Sequence, residues 1–248
     1  METSRNIRLL IAYDGTDFYG WQRQNGKRTV QGEIEKALAG LHGKKVSLTG
    51  SGRTDSGVHA VGQVANFYTC MGSIPPDRFS SALNSFLPPD VRILESKETD
   101  AAFHSRFSAV TRTYRYHFLC GRQCLPHERL YNLRLNRIPN LRLLNGYCML
   151  LSGETNCSIF AASPDKSKSK NRYIFNNNFQ YDKNCLVYEI SANAFLMKMV
   201  RSIAGTFLYY EEKLTPVEKM REIITSGRRS LAGPTLPPQG LFLWEIFY

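Results

Sequence analysis

The sequence predicts an α+β fold in which helices cover one face of a β-sheet. Short strand-like segments alternate with amphipathic helical segments along the 248 residues, and the second half of the chain repeats the alternation of the first. The sequence has no long Gly/Ser/Pro-rich linker that would separate two distant domains. We therefore expect one continuous sheet, or two halves, residues 1–105 and 106–248, that share a cleft.

In the first half, a buried strand over 7–13 ends at Asp14-Gly15-Thr16, whose residue types favour a turn. Thr29 is a suitable N-cap for an amphipathic helix, and Gly43 is a suitable residue to end it. A glycine-rich loop, Gly50 to His59, lies between two predicted strands. The remaining predicted elements of this half are strands 46–49 and 62–69, helix 76–86 and strand 91–94.

The second half continues with the same types of element. They are strand 111–119, helix 139–151, strands 172–181 and 185–192, helices 195–210 and 216–226, and strand 241–247. Ser163 to Asn171 is a polar, basic, low-complexity stretch, which indicates a surface loop. Such a loop either follows a phosphate backbone or is simply solvated.

Composition and charge narrow the classes of function. Hydrophobic residues make up 42% of the chain, enough for a folded core, and the formal net charge of +11 attracts polyanions. Nucleic acid is the first partner to consider, although a basic surface alone also fits a merely soluble protein. No apolar run approaches the roughly 20 residues that cross a bilayer, and Met1 to Asn6 is polar, so we expect a cytoplasmic protein without a membrane partner.

Cysteine usage gives no sign of a disulfide framework or a metal site. The six cysteines are spread along the chain, so reduced thiols are expected. Cys120, Cys124 and His127 lie close in sequence, but no fourth ligand follows at zinc-finger spacing. We predict no metal and no other cofactor.

The densest group of chemically useful residues lies in the loop Gly50 to His59. It has the glycine spacing of a phosphate-binding loop, but Val58-His59 stands where that motif requires Lys and Ser/Thr. Arg53 is two residues from Asp55, and a nearby cation keeps a carboxylate ionised and able to act as a nucleophile. From the residues alone, an Asx-turn capped by Asp55 is the favoured interpretation.

Comparison with a known family favours the catalytic interpretation of Asp55. Gly52 to Ala60 reads GRTDSGVHA and resembles, without a gap, the GRTDxGVHA signature of TruA-type pseudouridine synthases. The resemblance spans nearly the whole chain, in the family's order. The further matching segments are YDGT (13–16), YGWQRQ (19–24), FHSRFSA (103–109), RTYRY (112–116), NAFLMKMVR (193–201) and PPQGLFL (237–243).

The resemblance implies a function and an assembly. The family's fold has two similar halves, each a mostly antiparallel sheet flanked by helices, with a basic cleft between them. Its members isomerise uridine to pseudouridine at positions 38, 39 and 40 in the anticodon arm of tRNA, without metal or redox cofactor, and act as homodimers. The resemblance therefore implies residues 1–105 as the half with the catalytic loop and 106–248 as the half that completes the cleft.

It also assigns roles to individual residues. Asp55 aligns with the catalytic aspartate, and the resemblance leaves open whether it attacks the base or the ribose, or assists proton removal. Tyr114 aligns with the tyrosine that packs against the target base, and Arg53 with the arginine that holds the flipped nucleotide open. Arg201 is expected to pair with Asp55.

Trp21, Gln22 and Arg23 are expected to border the RNA, although a tryptophan packed inside its loop is an equally ordinary arrangement. His59 and His104 are expected to be structural or RNA-contacting residues.

The resemblance weakens at Leu151 to Phe160, where the family pattern is LxGxHDFxxF. Asn156 and Cys157 stand in place of the usual Asp and Phe. Three alternatives to a tRNA pseudouridine synthase are open. They are an RNA-binding protein that has lost catalysis, a hydrolase that uses Asp55 with His59, and a pseudouridine synthase with another RNA target. The intact set of Asp55, Arg53, Tyr114 and Arg201 argues against the first, and the lack of a second carboxylate or metal against the second.

Overall fold

The structure is a computed structural model that describes residues 4–162, 165, 167–183 and 185–248. The predicted surface loop Ser163 to Asn171 falls partly outside the described residues, at Ser163, Pro164 and Lys166. The strands are β1 (Arg5–Tyr13), β2 (Thr49–Gly50), β3 (His59–Thr69), β4 (Val91–Thr99), β5 (Thr111–Cys120), β6 (Leu133–Leu135), β7 (Gly153–Asn156), β8 (Asn171–Asp182), β9 (Cys185–Ala192) and β10 (Leu241–Phe247). The helices are α1 (Val30–His42), α2 (Phe79–Asn84), α3 (Leu141–Cys148), α4 (Met199–Glu212) and α5 (Val217–Thr225).

The chain forms two compact units, each with its own strands and helices. The first unit comprises the chain up to Val110 together with Phe242–Tyr248, and the second is Thr111–Leu241. Both contain mostly antiparallel strands flanked by helices, so the predicted α+β class is confirmed. Among the described residues, no helix combines the length and the apolar character needed to cross a bilayer.

In the first unit, β1 is the central strand of an antiparallel arrangement and pairs with β3 on one side and β4 on the other. Short β2 pairs antiparallel with β3, and β10 pairs with β3 in parallel, with Phe242 opposite His59. Ile7, Leu9 and Ile11 alternate into the core, as the period-2 pattern of the sequence predicts. This arrangement places the loop after β2 directly before β3 and in contact with Tyr13 at the end of β1.

Helix α1 illustrates how local sequence determines an element. The side chain of Thr29 accepts a hydrogen bond from the Gly32 N–H, and Gly43 ends the helix in the left-handed conformation with φ 65°. The helix buries four apolar residues on one face, Val30, Ile34, Ala37 and Leu38. The predicted helix and both of its caps are confirmed.

The second unit contains the antiparallel order β5-β9-β8-β7, and β6 pairs with β5 in parallel. Its core is aromatic: the rings of Tyr116 and Phe118 lie 4.5 Å apart, and those of Phe179 and Tyr188 are stacked at 4.5 Å. Most residues of helix α4 are buried, which explains why its sequence is apolar on most sides.

Several predicted elements are wrong in extent; the strand predicted over 91–94, for example, continues to Thr99. Residues 46–48 do not form a strand, because the Leu48 N–H donates to Glu35 and its carbonyl accepts from Gln31, both on α1. The helix predicted from residue 195 begins at Met199, because Lys198 adopts a left-handed φ of 59° that interrupts helical geometry. Two short strands, β6 and β7, are not predicted from the sequence.

Candidate active site

Asp55 lies in the loop between β2 and β3 of the first unit, where its side chain is half-buried. The Val58 N–H donates to the Asp55 carbonyl at 3.2 Å and closes a turn around the aspartate. Gly57 adopts a left-handed φ of 78° in this turn. Residues with a Cβ disfavour this conformation, whereas glycine adopts it readily. The neighbouring Arg53 is exposed. The loop therefore presents a carboxylate and a guanidinium from a tightly turned backbone.

A buried hydrogen bond fixes the residue before Asp55. The hydroxyls of Tyr13 and Thr54 lie 2.8 Å apart, and both side chains are buried. Burial raises the pKa of Tyr13, so this phenol stays neutral over the physiological range and can act as donor or acceptor. The strand β1 thus holds the loop at the position next to the carboxylate.

Gln63 on β3 holds the opposite end of the loop. Its side-chain carbonyl accepts from the Ser51 hydroxyl at 2.6 Å, and its amide donates to the Gly52 carbonyl at 3.0 Å. Gln63 is fully buried, and an unpaired buried amide would be costly. Gln63 is not among the predicted site residues, and the signal that could have indicated it is a polar residue inside a strand that is otherwise almost wholly buried.

The segment after β1 lies directly against the loop. The backbone N–H of Trp21 donates to the Thr54 carbonyl, and the backbone N–H of Gly57 donates to the Phe18 carbonyl, each at 3.2 Å. A Cβ added at Gly15 would lie 2.0 Å from the Val58 carbonyl oxygen, closer than any real contact. Glycine at this position therefore permits backbone contact between the two segments, which explains the YDGT and YGWQ motifs beside the GRTD motif.

The predicted RNA-bordering residues Trp21, Gln22 and Arg23 occupy different environments. Trp21 is 3% exposed, and its ring fills the space beside Gly50, where any added Cβ would lie 2.5 Å from the indole. Gln22 and Arg23 are exposed, and Arg23 donates to Glu35 at 2.9 Å. Trp21 supports the loop from inside the unit, whereas the other two side chains are accessible to a ligand.

His59, the last residue of the motif before Ala60, is a buried structural residue. Its Nδ1 lies 3.1 Å from both the Gly15 N–H nitrogen and the Asp14 carboxylate, and its ring is stacked on Phe242 at 4.7 Å. Only 1% of its surface is exposed. The burial and the contacts of His59 therefore fit a structural role and argue against the hydrolase alternative in which it works with Asp55 on one substrate.

Tyr114 and Arg201 belong to the second unit. Tyr114 on β5 is 8% exposed and packs edge-to-face on Phe195 at 5.0 Å. The Nε of Arg201 on α4 donates to the Leu236 carbonyl at 2.7 Å, which orients a half-buried guanidinium. The expected pairing of Arg201 with Asp55 stays a prediction, as do the substrate roles of both second-unit residues.

The departures from the family pattern lie in the second unit, just after α3. The Asn156 side chain accepts a hydrogen bond from the Ser158 N–H at 2.9 Å, which forms an Asx-turn just before a short 3-10 helix. Cys157 is fully buried, and burial raises the pKa of its thiol to about 12. Here Cys157 acts as a small core residue in place of the usual phenylalanine.

Metal-ligating side chains are not clustered in the described ranges of the chain. Within those ranges, no group of three or more His, Cys, Asp or Glu residues is arranged to hold a metal ion. Cys120 is buried, and burial raises the pKa of its thiol, which disfavours the thiolate form that binds metals.

Comparisons with known proteins agree with the resemblance found in the sequence. The sequence model of the tRNA pseudouridine synthase family matches residues 9–108 and 148–248. A relative from Treponema denticola, named tRNA pseudouridine synthase A, is 46% identical over an aligned length of 252 residues, gaps included. The alignment covers the whole of this chain and 94% of the relative. A relative of the same name from Treponema pallidum is 48% identical, over 94% of this chain and 85% of the relative. Another, from Syntrophomonas wolfei, is 41% identical, over 98% of this chain and 97% of the relative.

Proposed function

The chain belongs to the tRNA pseudouridine synthase family, and on this premise we propose that it isomerises uridine at one or more of positions 38, 39 and 40 of tRNA, with Asp55 as the nucleophile. Isomerisation of uridine in tRNA follows from the family. The positions in the anticodon stem-loop and the role of Asp55 are the finer proposal. The family block that carries Asp55 is intact in this chain.

The reaction conserves atoms and electrons. The bond from ribose C1′ to N1 of uracil breaks, the base turns, and C1′ bonds to C5, while C5 loses a proton and N1 gains one. An ionised carboxylate can attack the base or the ribose, or assist removal of the C5 proton. Each of these roles requires Asp55 to be ionised and held in a fixed position.

The observation that carries the proposal is the way the Asp55 loop is held. Tyr13 bonds to Thr54, the Trp21 N–H donates to the Thr54 carbonyl, and the Phe18 carbonyl accepts from the Gly57 N–H. Bonds on both sides of Asp55 restrict the backbone of the carboxylate-bearing turn. A catalytic group works best when its supporting contacts already hold it in place before substrate binds.

The exposed side chains near this loop suit RNA contact. Arg53 lies two residues from Asp55 on the same turn, and Gln22 and Arg23 are exposed on the adjoining segment. A uridine inside a stem must leave its stack at a cost of about a few kcal/mol, which contacts to the flipped nucleotide must offset. We assign Arg53 to hold the flipped nucleotide, and Gln22 and Arg23, with the buried Trp21 supporting them, to border the RNA.

Tyr114 and Arg201 complete the set of proposed substrate residues. Tyr114 is mostly buried yet aromatic, and an aromatic face suits an unstacked uracil. The Arg201 guanidinium is held by the Leu236 carbonyl and carries a charge that can interact with an anionic group. We also propose a cytoplasmic homodimer as the active form, on the strength of the family resemblance alone.

The test is position-resolved mapping of pseudouridine in an unmodified tRNA transcript, with the wild-type protein, Asp55→Asn and Asp55→Ala in parallel. We expect product at positions 38 to 40 with the wild type and none with either variant. Asn keeps the size of the side chain, so a loss in both variants identifies the carboxylate rather than packing as the cause. Equal tRNA affinity of the three proteins is the control for folding.

Two results would contradict the proposal. Product elsewhere in tRNA, or only in another RNA, would favour the alternative substrate, which the changes at Asn156 and Cys157 had suggested. Product that persists in Asp55→Asn would remove the nucleophile assignment while leaving the family activity intact.

A further inference from the structure

An aromatic ring stands exposed at the tip of a firmly anchored loop in the first unit. Phe107, in the FHSRFSA motif, is 77% exposed to solvent. A single exposed apolar side chain is ordinary on a protein surface, so the informative features of Phe107 are how its loop is held and which charged group lies beside the ring. None of the roles assigned above uses Phe107.

The base of this loop is fixed by Ser105, which is fully buried. Its N–H donates to the Asn66 side chain at 3.0 Å, and its hydroxyl donates to the Thr49 carbonyl at 2.7 Å. Its own carbonyl accepts from the Tyr248 hydroxyl at 2.8 Å. All three polar groups of Ser105 are therefore bonded, which ties the loop to β2, β3 and the end of the chain.

The tip is organised around His104. The Nδ1 of His104 accepts from the N–H groups of Arg106 at 3.2 Å and Phe107 at 3.3 Å. The imidazole and Phe107 rings lie 4.3 Å apart, and the Arg106 guanidinium lies 5.7 Å from the Phe107 ring centroid. Contacts with both neighbours thus fix the orientation of the Phe107 ring, although most of its surface remains accessible.

We infer that Phe107 is a stacking platform for an unpaired base of the tRNA substrate, with Arg106 contacting an adjacent phosphate. An aromatic face suits any nucleobase, and an exposed arginine beside it complements the charge of the nucleic acid backbone. The overall charge of +11 favours the same partner. The inference rests on the proposed function only in taking tRNA as the RNA that is bound.

The test separates base stacking from simple charge attraction. Binding of an unmodified tRNA transcript and of heparin, a polyanion without bases, is measured for the wild type and for Phe107→Ala, Phe107→Leu and Phe107→Trp. We expect Ala to weaken tRNA binding about tenfold and leave heparin binding unchanged. Leu, which is apolar but cannot stack, should resemble Ala, whereas Trp should restore the affinity.

Two further variants sharpen the test. Phe86→Ala removes another exposed phenylalanine of the same unit, 55% exposed, and should leave tRNA binding unchanged. Arg106→Ala should weaken binding and reduce the slope of log affinity against log salt by about one, as expected for one lost phosphate contact.

Three binding results would overturn the inference. They are unchanged tRNA affinity in Phe107→Ala, equal losses of tRNA and heparin affinity in that variant, and wild-type tRNA affinity in Phe107→Leu. So would a shift of Phe107→Ala toward monomer in sedimentation, because the ring would then serve contact between copies of the chain. The binding readout is independent of catalysis. Suppose that the wild type bound tRNA without forming pseudouridine, and that Phe107→Ala bound tRNA more weakly than the wild type. The proposed function would then fail while this inference stood.

Discussion

The hydroxyls of Tyr13 and Thr54 lie 2.8 Å apart in the interior of the first unit, one residue before the carboxylate proposed to react. The Tyr13→Phe substitution removes one hydroxyl and leaves the other buried without its partner. We expect the free energy of unfolding to fall by about 1 to 3 kcal/mol. We also expect kcat to fall by about tenfold or more, because small displacements of a catalytic group are costly.

Chemical denaturation and single-turnover kinetics check this prediction. In a double-mutant cycle with Thr54→Val, the two losses should be clearly less than additive, because both substitutions remove the same bond. Additive losses, or a change in the KM for tRNA with kcat preserved, would mean that the hydrogen bond does not position Asp55.

Tyr188 provides the opposite case. Its hydroxyl is fully buried in the second unit and has no hydrogen-bond partner among the described residues. We expect Tyr188→Phe to raise the free energy of unfolding by about 1 kcal/mol, because a buried unpaired hydroxyl is unfavourable. Thermal unfolding of the variant beside Tyr13→Phe gives the comparison, and destabilisation by Tyr188→Phe would reveal a partner for this hydroxyl, such as an internal water.

Gly15 tests the close contact between the YDGT turn and the Asp55 loop. An added Cβ would lie 2.0 Å from the Val58 carbonyl oxygen, so Gly15→Ala must displace backbone. We expect a loss of about 2 kcal/mol or more in stability, together with reduced kcat. Gly72→Ala is the control, because among the described residues, its two chain neighbours aside, no atom lies within 4 Å of its added Cβ. The stability of this variant should stay within about 0.5 kcal/mol of the wild type.

The carboxylate of Glu128 has a depressed pKa in the folded protein. Hydrogen bonds from the Arg122 guanidinium, and from the Leu125 N–H, lower the pKa of Glu128 to about 2 from its ordinary 4.5. A lowered folded-state pKa means that the interaction contributes fully above about pH 4.5 and is lost as the pH falls toward 2. NMR titration of the Glu128 carboxyl carbon measures this value directly.

In Glu128→Gln, the segment around Arg122 should show no such response to pH between about 4.5 and 2. A midpoint for Glu128 near 4.5 in the wild type would show that the paired geometry is not populated in solution. Because the pair is open to solvent, only a local loosening is expected, not global unfolding.

The elements that the sequence predicted well are those set by local rules. Thr29 and Gly43 bound α1 because capping and left-handed geometry depend on one or two residues. The loop carrying Asp55 is similarly marked by its glycines. The stretch 46–48 could not be judged this way, because side chains of α1 satisfy the Leu48 backbone across a gap in sequence.

The candidate site shows the same division. Asp55 and Arg53 could be proposed from the signature motif, since chemistry requires those residue types. The supporting roles of Tyr13 and Gln63 depend on pairing between β1 and β3, which no local pattern specifies. The burial of Trp21 also follows from tertiary contact, because a loop tryptophan beside exposed polar residues carries no signal of its own.

The first unit is completed by β10, a strand that is synthesised only after the whole second unit. β10 pairs with β3 and brings Phe242 onto His59, while Tyr248, the last residue of the sequence, bonds to Ser105. A growing chain folds its earlier segments first, so the whole of Thr111–Leu241 is made before the contacts that finish the first unit. The aspartate-bearing unit therefore stays unfinished until β10 has been synthesised, and a nascent chain that stops short of β10 lacks the strand that pairs with β3 and the ring that stacks on His59, next to the loop that carries Asp55.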